Sequence, residues 1–397
     1  MTSIRFALSL VLSLVLVACA SSYDRTNVTP TAETYERFYP SAASSDVRQF
    51  EDGGREALVT LQEHLKPTLT QVPRGRGLNI LALSGGGQHG AYGAGVLNGW
   101  TTSGKRPDFD IVTGISTGSL IAPFAFLGSG YDARLKRFYT QTTTRDVARL
   151  DVAGAIFGRG FLGKTTPLRA AIERELTDDL ITAIGAEHRK GRRLLVGTTN
   201  IDAERPVLWD IGQMAQIETP QARALIRDVI LASAAIPVVF PPITIEVTDG
   251  DIRREELHVD GGLTREVFVY PPGLPMGQML RQAGLTGRDN TIWLIHNKTL
   301  EPTFEPLPGN ATAVADRAFE MLIRSQSIGN IESILSLAKR DGLGANITYI
   351  PRDFTHKPDE PFDRDYMNAL FTVGHAAGSA SEGWLYDIQD WTTDDFE

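Results

Sequence analysis

The chain of 397 residues contains one cysteine, Cys19, so no disulfide can form within it. It has no H-E-x-x-H pair and no Cys/His spacing of the kind that holds zinc, so a metal has no evident ligand set and no cofactor is called for. A Lys/Arg-rich run with interleaved aromatics is also missing. With a net charge of −9 and a pI near 5.4, that absence argues against nucleic acid as a partner. The acidic cluster Asp359-Glu360 with Asp363 and Asp365, and the tail Asp394-Asp395-Phe396-Glu397, lack calcium-loop spacing and read as solvated surface. No internal repeat is visible.

Composition is that of an ordinary globular protein, 42% hydrophobic and 22% charged, with length enough for a large core. The amino terminus is different. Arg5 gives a weak positive n-region, Phe6–Val17 an apolar h-region too short to span a bilayer, and Leu16-Val17-Ala18-Cys19 a cleavage region. Residues 1–18 are therefore read as a signal peptide. The end of this segment resembles a bacterial lipobox, which would make Cys19 the lipidated first residue of the mature chain; a plain secretory signal is the alternative. No aspartate follows Cys19, which in the lipoproteins it resembles favours outer-membrane sorting. Residues 20–50 are rich in Ser, Thr, Ala and Asp without sustained period and are read as a tether, and Glu56–Leu65 as a short helix, with Pro67 and Pro73 breaking the chain before the core.

The stretch Asp108–Leu127 reads as a buried strand turning abruptly into a helix around Gly114-Ile115-Ser116-Thr117-Gly118. Gly114 and Gly118 leave no Cβ where strand and helix nearly touch. Ser116 is pushed outward at a helix N-terminus whose free N–H groups favour developing negative charge, which suits a nucleophilic serine. Alone, such a pentapeptide is weak.

Upstream, the strand Gly77–Ser84 flows into Gly85-Gly86-Gly87-Gln88-His89-Gly90 and then a helical run. The loop satisfies the dinucleotide fingerprint, but that use needs an acidic residue at the carboxyl end of the next strand, whereas Asp108 and Asp110 stand at its beginning. The competing use is an oxyanion hole, in which successive glycines let backbone amides converge on one oxygen.

Downstream, Ile226–Pro242 reads as a helix stopped by Pro237, followed by the strand ITIEVT and then a short strand, Glu256–Val259, delivering Asp260-Gly261-Gly262. An aspartate before two glycines is by itself as well explained by a turn.

The ordered set of glycine-rich loop, G-x-S-x-G, A-S-x-A-I-P-x-x-F-P-P and Asp-Gly-Gly resembles the patatin-like phospholipase family, from about residue 77 to about residue 300. The resemblance implies a three-layer α/β/α sandwich with a mainly parallel central sheet. It implies a Ser-Asp dyad, with Ser116 as nucleophile, Asp260 as its base, and the amides around Gly86 and Gly87 as oxyanion donors within the motif Gly85, Gly86, Gly87, Gly90. Gly114, Gly118, Gly261 and Gly262 are the remaining motif glycines. The implied substrate is a lipid or fatty-acyl ester, cut through an acyl-enzyme. The chain departs from the family's usual pattern at His89, where Arg or Lys is common, and at Leu263-Thr264-Arg265-Glu266, where an Asn-Pro pair is often found.

Two rivals stay open. A Ser-Asp-His triad would recruit His296, His356 or His375, all after Asp260 in the chain. A lipid-anchored binding protein would keep the fold without reacting. The rest of the chain reads as scaffold: a layer helix over Leu168–Ile184, a hairpin from Arg192–Thr199 to Arg205–Ile211, and Thr291–His296 as the last strand of the main sheet. Ala311 to Lys339 is a helix whose stripe of Val314, Met321, Leu322, Ile328, Ile331 and Leu335 reads as core or as the wall of an acyl channel, with Gly342 as its stop. Asn346–Pro351 reads as a strand and Tyr366–Leu385 as a closing helix. The domain reading is a tether over 19–75, a catalytic domain over 76–300 and a helical extension over 301–397 on the same core, held at the bacterial cell envelope by the anchor.

Overall fold

The computed structural model describes residues 25, 28–147, 149–150, 163–237, 239–302, 304, 306–380 and 384. The expected signal segment and Cys19 lie outside them. Strands in chain order are β1 (Tyr39–Pro40), β2 (Arg48–Phe50), β3 (Asn79–Leu83), β4 (Ile111–Ile115), β5 (Arg149–Leu150), β6 (Gly163–Lys164), β7 (Arg193–Asn200), β8 (Arg205–Asp210), β9 (Ile243–Asp249), β10 (Ile252–Asp260), β11 (Thr291–His296) and β12 (Gly344–Tyr349). The main helices are α1 (Gly54–Gln71), α2 (Gly90–Thr102), α3 (Thr117–Leu127), α4 (Asp132–Gln141), α5 (Thr166–Glu175), α6 (Asp178–Arg189), α7 (Pro220–Ser233), α8 (Met276–Gln282), α9 (Ala311–Asp341) and α10 (Arg364–Ser379).

The sandwich expectation holds, with a sheet that is mixed where a mainly parallel one was expected. β12, β11, β3, β4 and β7 run parallel in that spatial order, while β8, β2, β10, β9 and β1 join antiparallel. Period-two alternation sends Leu81, Leu83, Val112, Leu194 and Val196 to one face, under α2 to α7 and α10. Ile80, Ala82, Ile111, Leu195 and Leu294 face the other, under α1, α8 and the end of α9.

One detail of the pairing positions the site. β7 meets β4 at residues 193–197, β10 at 198–200 and β8 at 195–200. A strand has only two edges, so β8 takes one and the other is shared: β4 along the first residues, β10 along the last. Ile115 pairs with Gly197 and Asp260 with Thr198, so the two strands arrive end to end.

Several readings need correction. The tether does not extend over 28–50: β1 pairs with β9 and β2 with β8, and Val47 is fully buried. Polar composition concealed these short edge strands because only one residue in two or three turns inward. Pro67 does not break the chain but lies inside α1, which runs to Gln71. The single layer helix over Leu168–Ile184 is two, α5 and α6, with Thr177 capping the second. Thr291–His296 is not the last strand, because β12 pairs beyond it at the edge. The boundary at residue 300 marks no separate unit, since 301–380 supply that strand and helices to both faces. In α9 the apolar stripe is core only at its end: Ile331 is buried but Val314, Met321 and Leu322 are exposed. Gly342 does stop the helix, in the left-handed conformation at φ 75°.

α2 explains its many glycines by contact. A Cβ on Gly95 would lie 2.2 Å from the carbonyl of Phe371, and one on Gly378 of α10 would lie 2.0 Å from that of Val96. The two helices therefore cross backbone to backbone. Among the described residues no helix is long and apolar enough to cross a membrane, and none of the His, Cys, Asp and Glu groupings suits a metal.

Residues 38–50 are locked by a buried ion pair. Arg48 forks onto both oxygens of Glu256, with the second bond at 2.9 Å, and also donates to the carbonyl of Phe38. Burial alone would raise the Glu256 carboxyl, but the Arg48 guanidinium outweighs it and holds the group at about 2 against an ordinary 4.5. A depressed carboxyl contributes stability above its unfolded value and loses it as pH falls through the folded one. Arg48→Met is accordingly expected to cost roughly 3–5 kcal/mol at neutral pH, measured by urea unfolding, with the gap narrowing below pH 4.5. A neutral-pH loss within experimental scatter of zero would refute this role.

Candidate active site

β4 ends at Ile115, and Ser116 stands between it and α3 with φ 52° and ψ −123°, a positive-φ conformation that side chains seldom adopt. Its neighbours enforce it. A Cβ on Gly118 would sit 2.4 Å from the Leu83 carbonyl, and one on Gly114 would sit 2.5 Å from that of Gly118. Both positions are closed to any larger residue. The buried Ser116 amide donates to Ser233 Oγ at 3.0 Å, Ser233 donates to the Gly197 carbonyl at 2.7 Å, and Ser119 Oγ donates to the Ser116 carbonyl at 2.6 Å. Ser233 is the serine of the A-S-x-A-I-P stretch, whose part the sequence did not disclose.

Asp260 arrives from the opposite direction on β10 and is buried. Its amide donates to the Ala235 carbonyl at 3.0 Å, its carbonyl accepts from Thr199 Oγ1 at 3.1 Å, and its Oδ1 accepts the Gly262 amide at 2.8 Å. Gly261 is obligatory because a Cβ there would meet the Gly197 carbonyl at 2.6 Å. Burial pushes the Asp260 carboxyl up to about 7, against the pull of the nearby Ser116 hydroxyl and of the Gly262 amide hydrogen bond. Glu266 adds to the rise and Lys298 opposes it. Ser116 and Asp260 are thus brought together.

The glycine loop completes the enclosure. Gly85 donates its amide to the Glu266 carbonyl at 3.0 Å, and Gly90 donates within its own turn, so neither amide is free. The amides of Gly86 and Gly87 have no acceptor among the described residues, which narrows the four-glycine motif to two available donors. Gly86, at φ 150°, rests where a Cβ would meet the Asn297 carbonyl at 2.5 Å, and Gly87 has φ 57°. Asn297 fixes the loop from behind: Oδ1 accepts the Gly93 amide at 3.0 Å, Nδ2 donates to the Ser84 carbonyl at 2.9 Å, and its own amide donates to Ser84 Oγ at 2.8 Å.

Glu266 and Lys298 also escaped the sequence reading. Glu266 is buried with its carboxylate against Gly85 and Gly262, and Lys298 Nζ lies 2.5 Å from Oε1. Burial raises the Glu266 carboxyl and Lys298 restrains it. Asn330 of α9 accepts the Glu266 amide at 2.8 Å. No spacing signal links residues 260, 266, 298 and 330, which meet only through the fold.

The histidines stand apart. His296 is buried with neither ring nitrogen hydrogen-bonded, and burial, then Lys298, hold it down to about 3. His89 is held down to about 4 by the same two influences and packs against the Tyr366 ring at 5.7 Å. His375 Nε2 lies 3.4 Å from Thr102 Oγ1, on the far helix pair. No imidazole hydrogen-bonds Ser116 or Asp260 among the described residues. A cavity of about 230 Å³ lined by Arg106, Asp108 and Arg192 lies at the opposite, amino-terminal end of the strands.

Residues 81–271 match the family model described as patatin-like phospholipase. No curated protein matches. VipD from Legionella pneumophila is a similar solved structure at 14% identity and a TM-score of 0.38, over 77% of this chain and 67% of that one, a likeness too loose to argue from.

A carboxyl raised by burial works against the fold once it ionises. Its unfolded form loses a proton near 3.8 and its folded form near 7, so stability is fully present below the first value and falls as pH rises through the second. Asp260→Asn removes that loss. The variant should gain stability relative to the native protein between pH 4 and pH 8, read as the difference in urea midpoints; a difference independent of pH would contradict the burial of this charge.

Proposed function

We propose that the patatin-like phospholipase domain carried by this chain hydrolyses carboxylic esters of membrane lipids through a Ser116–Asp260 dyad and an acyl-enzyme. Lipid acyl hydrolysis is the activity of the family; the dyad and the intermediate are the reading supported here by one observation, a buried Asp260 carboxyl beside Ser116 that burial holds near neutrality. A carboxylate of ordinary acidity is a poor base for a hydroxyl, and one raised to about 7 is far better matched.

Ser116 Oγ attacks the ester carbonyl carbon as its proton passes to Asp260. Negative charge collects on the former carbonyl oxygen, where the amides of Gly86 and Gly87 offer two donors worth a few kcal/mol in the transition state. The C–O bond to the alcohol breaks, and Asp260 returns its proton to the leaving oxygen. Water then attacks the acyl-serine, its proton passing through Asp260 back to Ser116 Oγ, and the fatty acid leaves. The positive φ of Ser116 aims its hydroxyl away from the strand without further rearrangement.

We extend the reading to location: Cys19 carries a lipid anchor that holds the domain at the bacterial envelope, consistent with the lipobox-like residues before it. Metabolic labelling with a fatty acid tests this, and label retained by Cys19→Ser would refute it.

Ser116→Ala and Asp260→Asn should each lower turnover of lipid esters by roughly a thousandfold or more, and Ser116→Ala should abolish labelling by a fluorophosphonate. His296→Ala and His375→Ala, singly and together, should leave turnover within about threefold; a collapse in a folded variant would establish a triad instead. The flanking pair gives a sharper check. Activity requires ionised Asp260, so it should rise with pH through about 7. Lys298→Met should move that limb to higher pH and Glu266→Gln to lower pH, since the two charges act on Asp260 with opposite sign. Shifts in the same direction would be incompatible with Asp260 as the base.

A further inference from the structure

α9 is longer than the layer it covers. Toward its end Ile331, Ile334 and Leu337 are buried against the sheet, and Asp341 accepts from Tyr270 and from the Gly277 amide. Higher up, Gln326 donates to the Leu263 carbonyl and Asn330 accepts the Glu266 amide, so the helix passes the Asp260–Glu266 turn at these residues. β11 ends at His296 and α9 descends to β12, which runs parallel to β11. Residues 311–325 therefore continue past the carboxyl ends of the strands, about 22 Å of helix at 1.5 Å per residue.

On that overhang Ala311, Val314, Ala315, Ala318, Phe319 and Leu322 recur at the spacing of one helical face, and all six are exposed. Phe319 is 46% exposed, Leu322 69%, and Met321 beside it 61%. Phe304, in the loop leading to the helix, is 95% exposed. Meanwhile Arg324 turns inward, donating to the Leu300 carbonyl at 2.8 Å. The apolar face thus changes sides along one helix, toward the sheet in the last turns and toward water in the first. Scattered apolar side chains on a surface need no explanation, whereas a continuous stripe of this kind marks an interaction face.

We infer that the overhanging face of α9, with Phe304, docks on the surface of a lipid layer and holds it at the mouth of the Ser116–Asp260 site. The inference rests on the lipid-ester reading above. Two features select this occupant. Leu263, 45% exposed and adjacent to Asp260-Gly261-Gly262, continues the apolar surface to the reacting groups. The proposed anchor also joins at the same end: Arg25, six residues after Cys19, pairs with Asp202, just past the carboxyl end of β7. A buried apolar face needs no charge on the lipid, so a chain of net charge −9 can dock on neutral headgroups.

The test places an environment-sensitive fluorophore at Leu322→Cys in the full chain carrying Cys19→Ser, with vesicles of phosphatidylcholine as the probe surface. Addition of vesicles should shift its emission to the blue, and the shift should survive high salt. Phe319→Glu with Val314→Asp should lower the rate on ester within vesicles by roughly tenfold or more while leaving that on a monomeric short-chain ester within about twofold. An emission unchanged by vesicles, or an equal loss on both substrates, overturns the inference. A fluorophore already in an apolar setting before vesicles are added overturns it too, since a second copy then covers the stripe. Ser116→Ala separates the two readings: the blue shift should persist in it. A native chain that docks but cleaves no ester refutes the proposed function alone, and one that cleaves the monomeric ester without docking refutes this inference alone.

Discussion

The closeness of two backbones where β4 turns into α3 governs the rest of this end of the molecule. Gly118 lies against the Leu83 carbonyl of β3, and Gly114 against Gly118 itself, so strand, turn and helix occupy a space that no Cβ could share. Ser116 takes its positive φ as the geometric remainder of that contact, a strain of about 1–3 kcal/mol that persists only because surrounding bonds over-determine it. Ser233 and Ser119 supply them, one on each side of the residue. Ser233 reaches the Gly197 carbonyl as well, and so ties the turn to β7. That strand carries Thr198, the partner of Asp260, on its next residue. The same few ångströms of backbone approach therefore set both the serine and the register of the carboxyl that faces it.

Charge at this end is arranged sparingly. Burial raises the Asp260 and Glu266 carboxyls, and Lys298 is the cation that opposes the rise at both. Lys298 lies at 2.5 Å from Glu266 Oε1, so it meets that carboxylate directly and acts on Asp260 only through space. His89 and His296 stay neutral for the same physical reason, burial beside a cation. Titration here belongs to the carboxyls.

How much of this was legible depended on whether the signal was local. Gly114, Ser116 and Gly118 state their geometry in five consecutive residues, and Asp260-Gly261-Gly262 in three, because close approach leaves glycine as the trace. The parallel strands read well for a similar reason, since burial on both faces makes them continuous apolar runs. β1 and β2 did not, being too short for a period to register. Glu266, Lys298, Asn297 and Asn330 were invisible as a group because nothing along the chain relates them. The apolar stripe of α9 was seen but misplaced: periodicity reports which residues share a face, and only the 31-residue length of the helix against a six-residue strand shows that half of that face has no sheet beneath it.

The crossing of α2 with α10 bears on the order in which the molecule can be completed. α2 leaves directly from the glycine loop, and its outer wall is the last helix of the described chain, seated so tightly that Gly95 and Gly378 admit no side chain. A nascent polypeptide has the serine turn in hand early, yet the helix that steadies the loop begins only at Arg364, about 250 residues later. Reactivity would then be deferred by topology alone, switched on by the arrival of that helix rather than by a separate inhibitor.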